Sequence, residues 1–573
     1  ETTNTALVSD APANCSTAWA PATAYTSGSI YSYGGVCRYV TNAYTSGTSF
    51  GLTDSANSNA AYVAGTPTSR TIYTKDSSGR IPFEWTSLNS TQQSYFTKPH
   101  IAYDESVTPP VGLSQFCSPA GGTCLSSAEQ NNVTVATSGA AGEALVNFLR
   151  GERTNELTFY RQRKHVLGDI VSSEARYVSA SLFNYNDANY SAFKVTVANR
   201  QNVVYVAGND GMLHAFDGET GKELWAYVPA MVLPELYKLA DRDYSQKHEY
   251  FVDGTPEVGD ICPNANNATP AGTCSATQWK TILVGGLNRG GKGFYALDIT
   301  NPTNPVVLWE FTDANMGYSY GNPRITKLKS GQWVVILTSG YNSTDGLGRL
   351  YVLDAYSGNL IRSIQTTAGT PSNASGLTKI AAHAPNADTN NTTLAVYGGD
   401  MLGNLWRFDI NGDIGASGYD AHRMVTFMDE SGTPQAQPIT TKPIVTTVEG
   451  KPVVYVGTGS YLGITDITNT QYQTMYAVKD NYNSTSFLTP RANNSGFVEQ
   501  TLQSATCTTE TSCTPGEAIR KIGAPDASKP VQTVSWTSNN GWYVDFLTAG
   551  ERSNTDPALA LGSLVFTTNT PNN

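Results

Sequence analysis

One unit recurs five times between Asn202 and Asp480, and it restricts the chain to a small set of folds. The copies are "NVVYVAGNDGMLHAFDGETGKELWAYVP" (Asn202–Pro229), "KTILVGGLNRGGKGFYALDITNPTNPVVLWEF" (Lys280–Phe311), "WVVILTSGYNSTDGLGRLYVLDAYSGNL" (Trp333–Leu360), "TLAVYGGDMLGNLWRFDINGD" (Thr393–Asp413) and "PVVYVGTGSYLGITDITNTQYQTMYAVKD" (Pro452–Asp480). Each has an apolar run rich in β-branched residues, then a Gly/Asn/Asp turn. An aromatic-rich strand follows and ends at Asp217, Asp298, Asp354, Asp409 or Asp480. In the first copy Asn209-Asp210-Gly211 supplies the positive-φ residues that a tight hairpin needs. "DGETGKELW" and "DAYSGNL" then turn the first and third copies into a third strand. A repeated antiparallel meander of this size predicts an all-β propeller. Val166–Ser179 and Gly541–Thr568 read as degenerate first and last blades, which makes about seven.

Composition agrees with that architecture and excludes others. Charged residues are 14% of the 573 and aromatics 10%, with 52 Gly and 28 Pro. A chain so poor in charge and rich in turns is neither a coiled coil nor a charged disordered tail. The net charge of −11, without a basic patch, argues against a nucleic-acid partner. No apolar run approaches 18 residues, so no membrane-spanning helix is expected. The chain begins at Glu1 with neither Met nor a leader, which reads as processing or a fragment. Residues 1–55 read as a small β module, 56–146 as linker and irregular segment, and 147–573 as the propeller. Helices are expected at Gly142–Glu152, where Ala144, Leu145, Phe148 and Leu149 share a face, and at Val232–Leu239.

The eight cysteines form four local couples in polar surroundings. Eight cysteines allow 105 pairings, so spacing alone does not fix the bridges. The simplest set is Cys15–Cys37, Cys117–Cys124, Cys262–Cys274 and Cys507–Cys513. Zinc ligation would require close C-x-x-C pairs or neighbouring His, and neither occurs. Disulfides imply an oxidising compartment, the periplasm or the cell exterior.

From "NFLRGERTNE" and "VLGDIVSS" through "EYFVDGTPEVGD", "LWEFTD" and "VYGGDMLGNLWRFD" to "ERSNTDPALALGSLVFTT", residues 147–573 carry motifs in a recognisable order. This region resembles the C-terminal domain of PilC/PilY-type type IV pilus tip adhesins, a modified quinoprotein-like propeller. The resemblance implies a non-enzymatic, pilus-associated factor for biogenesis, motility and attachment. It further implies pilin and minor pilin partners, a host or surface receptor or polysaccharide, and a cell-surface location reached through the periplasm. Residues 15–50 more weakly resemble a small chitin-binding module, with Trp19, Tyr25, Tyr33 and Tyr44 as the aromatic set. The other reading of that stretch is a spacer stapled by Cys15–Cys37 whose aromatics form its own core.

The family's calcium loop falls at Asn386-Ala-Asp388-Thr-Asn390-Asn391-Thr392. Asn386, Asp388 and Asn390 take positions 1, 3 and 5, and Thr392 offers a carbonyl at 7. Position 9, acidic in the family, is Leu394. Calcium needs six to eight oxygens and charge compensation. With one carboxylate, weak binding or none is expected, and an Asx-rich turn is the competing reading. Asp409, Asn411 and Asp413 repeat the alternation at the end of a blade strand. "GLNRGGKG" (Gly286–Gly293) nearly matches a phosphate loop, but it joins two strands and so reads as a hairpin. His214 reads as a satisfied blade residue. Arg150, Arg153, Arg161, Arg163 and Lys164 form a basic run that either docks an acidic partner or pairs with Glu152 and Glu156. The stapled loops at Cys262–Cys274 and Cys507–Cys513 are the expected target-dependent surfaces. Two other functions fit the residues less well. One is a quinoprotein-type dehydrogenase, for which the chain lacks an adjacent Cys pair and C-x-x-C-H. The other is a carbohydrate-binding protein.

Overall fold

The computed structural model describes residues 20–25, 30–33, 36–40, 44–45, 58–60 and 70–571, apart from 118–123, 135–139, 154, 264–272, 416, 488, 509–512 and 524–530. Each of the five sequence copies becomes an antiparallel strand pair inside one sheet. Blade two is Glu257–Ile261, Lys280–Gly286, Phe294–Asp298 and Val306–Phe311, in that order. Blade three is Arg324–Lys327, Trp333–Thr338, Arg349–Asp354 and Leu360–Gln365. Blade four is Ile380–His383, Ala395–Gly399, Asn404–Phe408 and Ala421–Thr426. The central strands of these sheets are buried on both faces, as in Trp333–Thr338 and Asn404–Phe408. That explains why they read as continuous apolar runs rather than as a clean alternation.

The described residues form five such radial sheets, not the expected seven. The two stretches read as degenerate blades are absorbed by their neighbours. From Val166–Ser179, Arg176–Val178 pairs with Val203–Gly208 as the inner strand of blade one. From Gly541–Thr568, Gly541–Asp545 pairs with Thr474–Lys479 in blade five, beside Ile444–Val448 and Lys451–Gly457. The remainder forms a hairpin, Ala558–Ala560 with Ser563–Val565, whose Phe566 stacks on Phe546. A single strand-like run carries no mark of whether it opens a new sheet or completes an old one.

Blade one is the widest sheet, with six strands. Beyond Glu223–Tyr227 it takes up Ile72–Asp76 in parallel and then Gly79–Pro82. The described part of the stretch read as linker, from Ile72 onward, therefore packs with blade one. Its apolar residues Ile72, Phe83, Phe96, Leu113 and Phe116 share one core with blade one and with helix Ala140–Arg150. That helix, and the 3-10 turn Ala230–Ala240, occupy the places the sequence predicted.

A second long-range feature is the connection between the first two strands of blade one. Residues 181–190 leave their own blade and cross the ends of blades two to four. Tyr190 donates to Asp260 Oδ2 at 2.7 Å. Asp187 grips Lys327 Nζ at 2.6 and 2.8 Å. The Tyr185 ring lies 5.2 Å from Trp333 and 6.4 Å from Trp279.

Candidate functional site

The calcium-like loop is the far anchor of that crossing segment. The Asp388 and Thr389 carbonyls accept from the backbone N–H groups of Asn184 and Asn186, at 3.2 and 2.7 Å. The Asn386 carbonyl accepts from Thr389, Asn390 and Asn391. Asn391, at φ 51°, donates through its side chain to Ile325 O and the Tyr185 hydroxyl. The side chains of Asn386, Asp388 and Asn390 are exposed, and the Thr392 hydroxyl donates to Asn390 Oδ1 at 2.9 Å. The donor set does not fit a calcium shell. It has a single carboxylate, and the Asn386, Asp388 and Thr389 carbonyls are engaged by the chain itself. Among the described residues no three His, Cys, Asp or Glu groups are placed to hold a metal ion.

The second alternating stretch folds around Asp409. Its buried carboxylate accepts backbone N–H bonds from Asn411, Gly412, Ile414, Gly415 and Tyr419. Burial alone would raise its pKa, but these donors hold it below the ordinary carboxylate range. Asp413 instead pairs with Lys329 on the neighbouring blade. The oxygens thus serve an Asp-organised loop.

Three of the four expected bridges form: Cys117–Cys124, Cys262–Cys274 and Cys507–Cys513. Cys15 lies outside the described residues. So do Trp19 and the side chains of Cys37, Tyr25, Tyr33 and Tyr44; in the backbone, Tyr25 and Tyr44 are opposed in one short antiparallel pair. Cys262 and Cys274 pack with Tyr190 and Trp279 beneath the crossing segment. Cys507–Cys513 closes the hairpin Leu502–Thr506/Ala518–Ile522, inserted within blade five.

His214 is fully buried between two carboxylates, 2.9 Å from Glu223 Oε1 and 3.0 Å from Asp210 Oδ1. Arg70 completes the group with two bonds to Glu223, at 2.7 and 2.8 Å, and one to the Arg150 carbonyl. Burial opposes the charged imidazolium. Asp210 and Glu223 outweigh it and push His214 up to about 9. Burial likewise works against the Glu223 carboxylate, yet Arg70 and His214 hold it down to about 2. The cluster joins residues 70–150 to blade one and faces no solvent. Two residues of the basic run, Arg150 and Arg163, are also internal. Arg150 is buried and donates to Phe83 O and Arg70 O. Arg163 pairs with Glu156 at 2.8 Å and lies over the Phe148 ring. Gly286–Gly293 joins two strands of blade two and precedes no helix.

The sequence reading did not single out the insertion between Lys451–Gly457 and Thr474–Lys479. Four large residues are exposed on it: Tyr461 (46%), Leu462 (51%), Ile464 (82%) and Tyr472 (53%). Arg552 fixes the insertion from below, donating to the carbonyls of Ser460, Asp466 and Asn469 at 2.8, 2.7 and 2.6 Å. Its only sequence signal is a loop longer than a tight hairpin requires. A loop held in place with apolar side chains exposed is suited to binding.

The comparisons with known proteins agree with this geometry. Residues 167–514 match a family model described as the PilY1 beta-propeller domain. A type IV pilus biogenesis factor PilY1 homolog of Xylella fastidiosa is 31% identical over 474 residues, covering 79% of this chain and 35% of that protein. The type IV pilus biogenesis factor PilY1 of Pseudomonas aeruginosa strain PAK is 31% identical over 475 residues, covering 75% and 39%. The chain thus spans little more than a third of the length of these relatives. The crystal structure of the Pseudomonas aeruginosa PilY1 C-terminal domain matches with a TM-score of 0.53 and 26% identity, covering 69% of this chain and 83% of that one. By its repeat, its blades and these matches, the chain belongs to the PilY1 β-propeller family.

Proposed function

We propose that this chain is the rigid binding scaffold of a type IV pilus biogenesis factor and works without catalysis. What carries the reading is the unbroken match of residues 167–514 to the propeller of proteins described as pilus biogenesis factors. Its partners are pilin and minor pilin subunits and, at the cell surface, a receptor or polysaccharide. Export through the periplasm accords with the three disulfides. Among the described residues no helix is long and apolar enough to cross a membrane. The contact surfaces in this reading are the apolar insertion Tyr461–Tyr472 and the two stapled loops of blades two and five. Residues 1–55 are a separate sugar-binding-like module. No calcium step is included, because the Asn386–Thr392 loop does not fit the ion.

The test is deletion of the region encoding residues 167–514 in the producing bacterium. Loss of sheared surface pili and of twitching, with the protein found in the sheared fraction of the parent, is expected. Normal piliation and motility would overturn the reading. Retention of a 1–69 fragment on chitin beads tests the module separately.

A further inference from the structure

In three blades the fourth strand does not end the sheet. A segment from elsewhere in the chain lies along it in parallel. In blade one, Ile72 and Tyr73 pair with Ala226 and Tyr227. In blade five, Phe497–Gln500 runs beside Gly541–Asp545. In blade four, Phe487 pairs with Val425 and its N–H donates to Met424 O. The outer strand of blade two, Val306–Phe311, lies against Gly79–Pro82 at the flank of blade one. Blade three is the exception. Among the described residues its outer strand, Leu360–Gln365, pairs with Arg349–Asp354 alone.

The far edge of that strand is open. The Thr366 N–H donates to Gly348 O at 2.8 Å, and the inward bonds of an antiparallel ladder recur at every second residue. Ile364 and Arg362 therefore turn their backbone groups inward, and Gln365 and Ser363 turn theirs out. Neither of the latter two has a backbone bond outside its own sheet among the described residues. Both are exposed, as is Leu360, at 47%. The strand, Leu-Ile-Arg-Ser-Ile-Gln, contains neither Pro nor Lys, the residues that blunt free edges. Arg362 lies 3.3 Å over the Tyr419 ring and has no ion-pair partner among the described residues.

We infer that the outer edge of blade three takes an extended segment of a partner chain, laid parallel to Leu360–Gln365 as the fold lays its own segments on blades one, four and five. Each of those segments brings an aromatic residue: Tyr73, Phe487 or Phe497. The segment on blade five also brings an acid, Glu499. The partner segment has the same chemistry: an aromatic or β-branched residue against Leu360 and Ile361, and an acidic one beside Arg362. Main-chain bonds to Ser363 and Gln365 supply the attachment, and the side chains supply the choice of partner. The site deepens the binding-scaffold reading and rests on it only for who the partner is.

The test uses the intact chain and a fluorescein-labelled peptide with the sequence of residues 495–502, Ser-Gly-Phe-Val-Glu-Gln-Thr-Leu. Fluorescence anisotropy should show saturable binding to the parent. Ser363→Pro removes one outward N–H and leaves the inward ladder whole. This variant should melt within about 2 °C of the parent and bind the peptide at least tenfold more weakly, while Ser363→Ala keeps full affinity. Arg362→Gln, or a peptide with Lys in place of its Glu, should weaken binding about twofold to fivefold. Slower amide hydrogen exchange at Ser363 and Gln365 on adding the peptide gives a reading that needs no variant. A parent that does not bind the peptide, a folded Ser363→Pro chain that keeps full affinity, or unchanged exchange at those two residues overturns the site. A parent that dimerises in light scattering, with the dimer lost in Ser363→Pro, gives the edge to a second copy and overturns it as well. Displacement of the peptide by sheared pili bears on the pilus reading alone: its absence counts against that reading and leaves the edge standing.

Discussion

Two sets of charged residues, one inside blade one and one at the starts of the inner strands, end in different states. In blade one, Arg70, Glu223, His214 and Asp210 form a continuous chain of pairs, each cation facing a carboxylate at 3.0 Å or less. At the starts of the inner strands, Glu257 holds Arg176 and Asp556 holds Lys379, while Arg324 and Lys442 have no carboxylate within 4 Å among the described residues. Burying charge is tolerable only when it is paired and hydrogen-bonded. The closed cluster therefore serves the fold, joining an N-terminal strand pair to the propeller.

The largest break in this contrast comes from Glu223→Gln, which strands Arg70 and His214 together. A loss of about 3–5 kcal/mol in chemical denaturation is expected. A loss under 1 kcal/mol would mean the cluster is not the joint described here. Next comes pH. His214 is raised in the fold, so its contribution is whole below its ordinary value of 6.5 and fades as pH climbs through about 9. Glu223 is depressed, so its contribution is whole above 4.5 and fades as pH falls through about 2. Melting temperature should fall between pH 6.5 and 9 in the parent and stay flatter in His214→Phe; equal slopes would detach His214 from the effect.

Asp409→Ala extends the comparison to a single carboxylate satisfied by backbone donors. Leaving those N–H groups without an acceptor should cost about 1–3 kcal/mol, read as a lower denaturation midpoint. The smallest effect belongs to Asp388→Ala. Its side chain is exposed and its carbonyl, which the substitution keeps, makes the contact to Asn184. Stability should change by less than about 0.5 kcal/mol, with or without calcium. A calcium-dependent melting shift that vanishes in this variant would restore the metal reading of the loop.

Much of this was legible because it is local. Asn209-Asp210-Gly211 announced a hairpin, and Gly211 adopts φ 88°. The amphipathic face of Ala144, Leu145, Phe148 and Leu149 announced a helix. The three cysteine couples lie 6 to 12 residues apart and close where proximity in the chain places them. Of the candidate site, the single carboxylate of Asn386–Thr392 already spoke against calcium. The crossing segment that occupies the loop's carbonyls could not be foreseen, because Asn184 and Asn186 lie some 200 residues upstream.

Sequence by itself determined the unit: strand lengths, turns, apolar faces and nearby bridges, all set by periodicities within a few tens of residues. The tertiary structure decided which edges meet. It seated Ile72–Asp76 beside Glu223–Tyr227, folded the two strand-like flanks into existing sheets, and so set five described blades in place of seven. It also set the inner strands of blades two and three against each other, and those of blades four and five. The reason is that edge pairing and ring closure depend on contacts between distant segments, and such contacts leave no local pattern in the residues that make them.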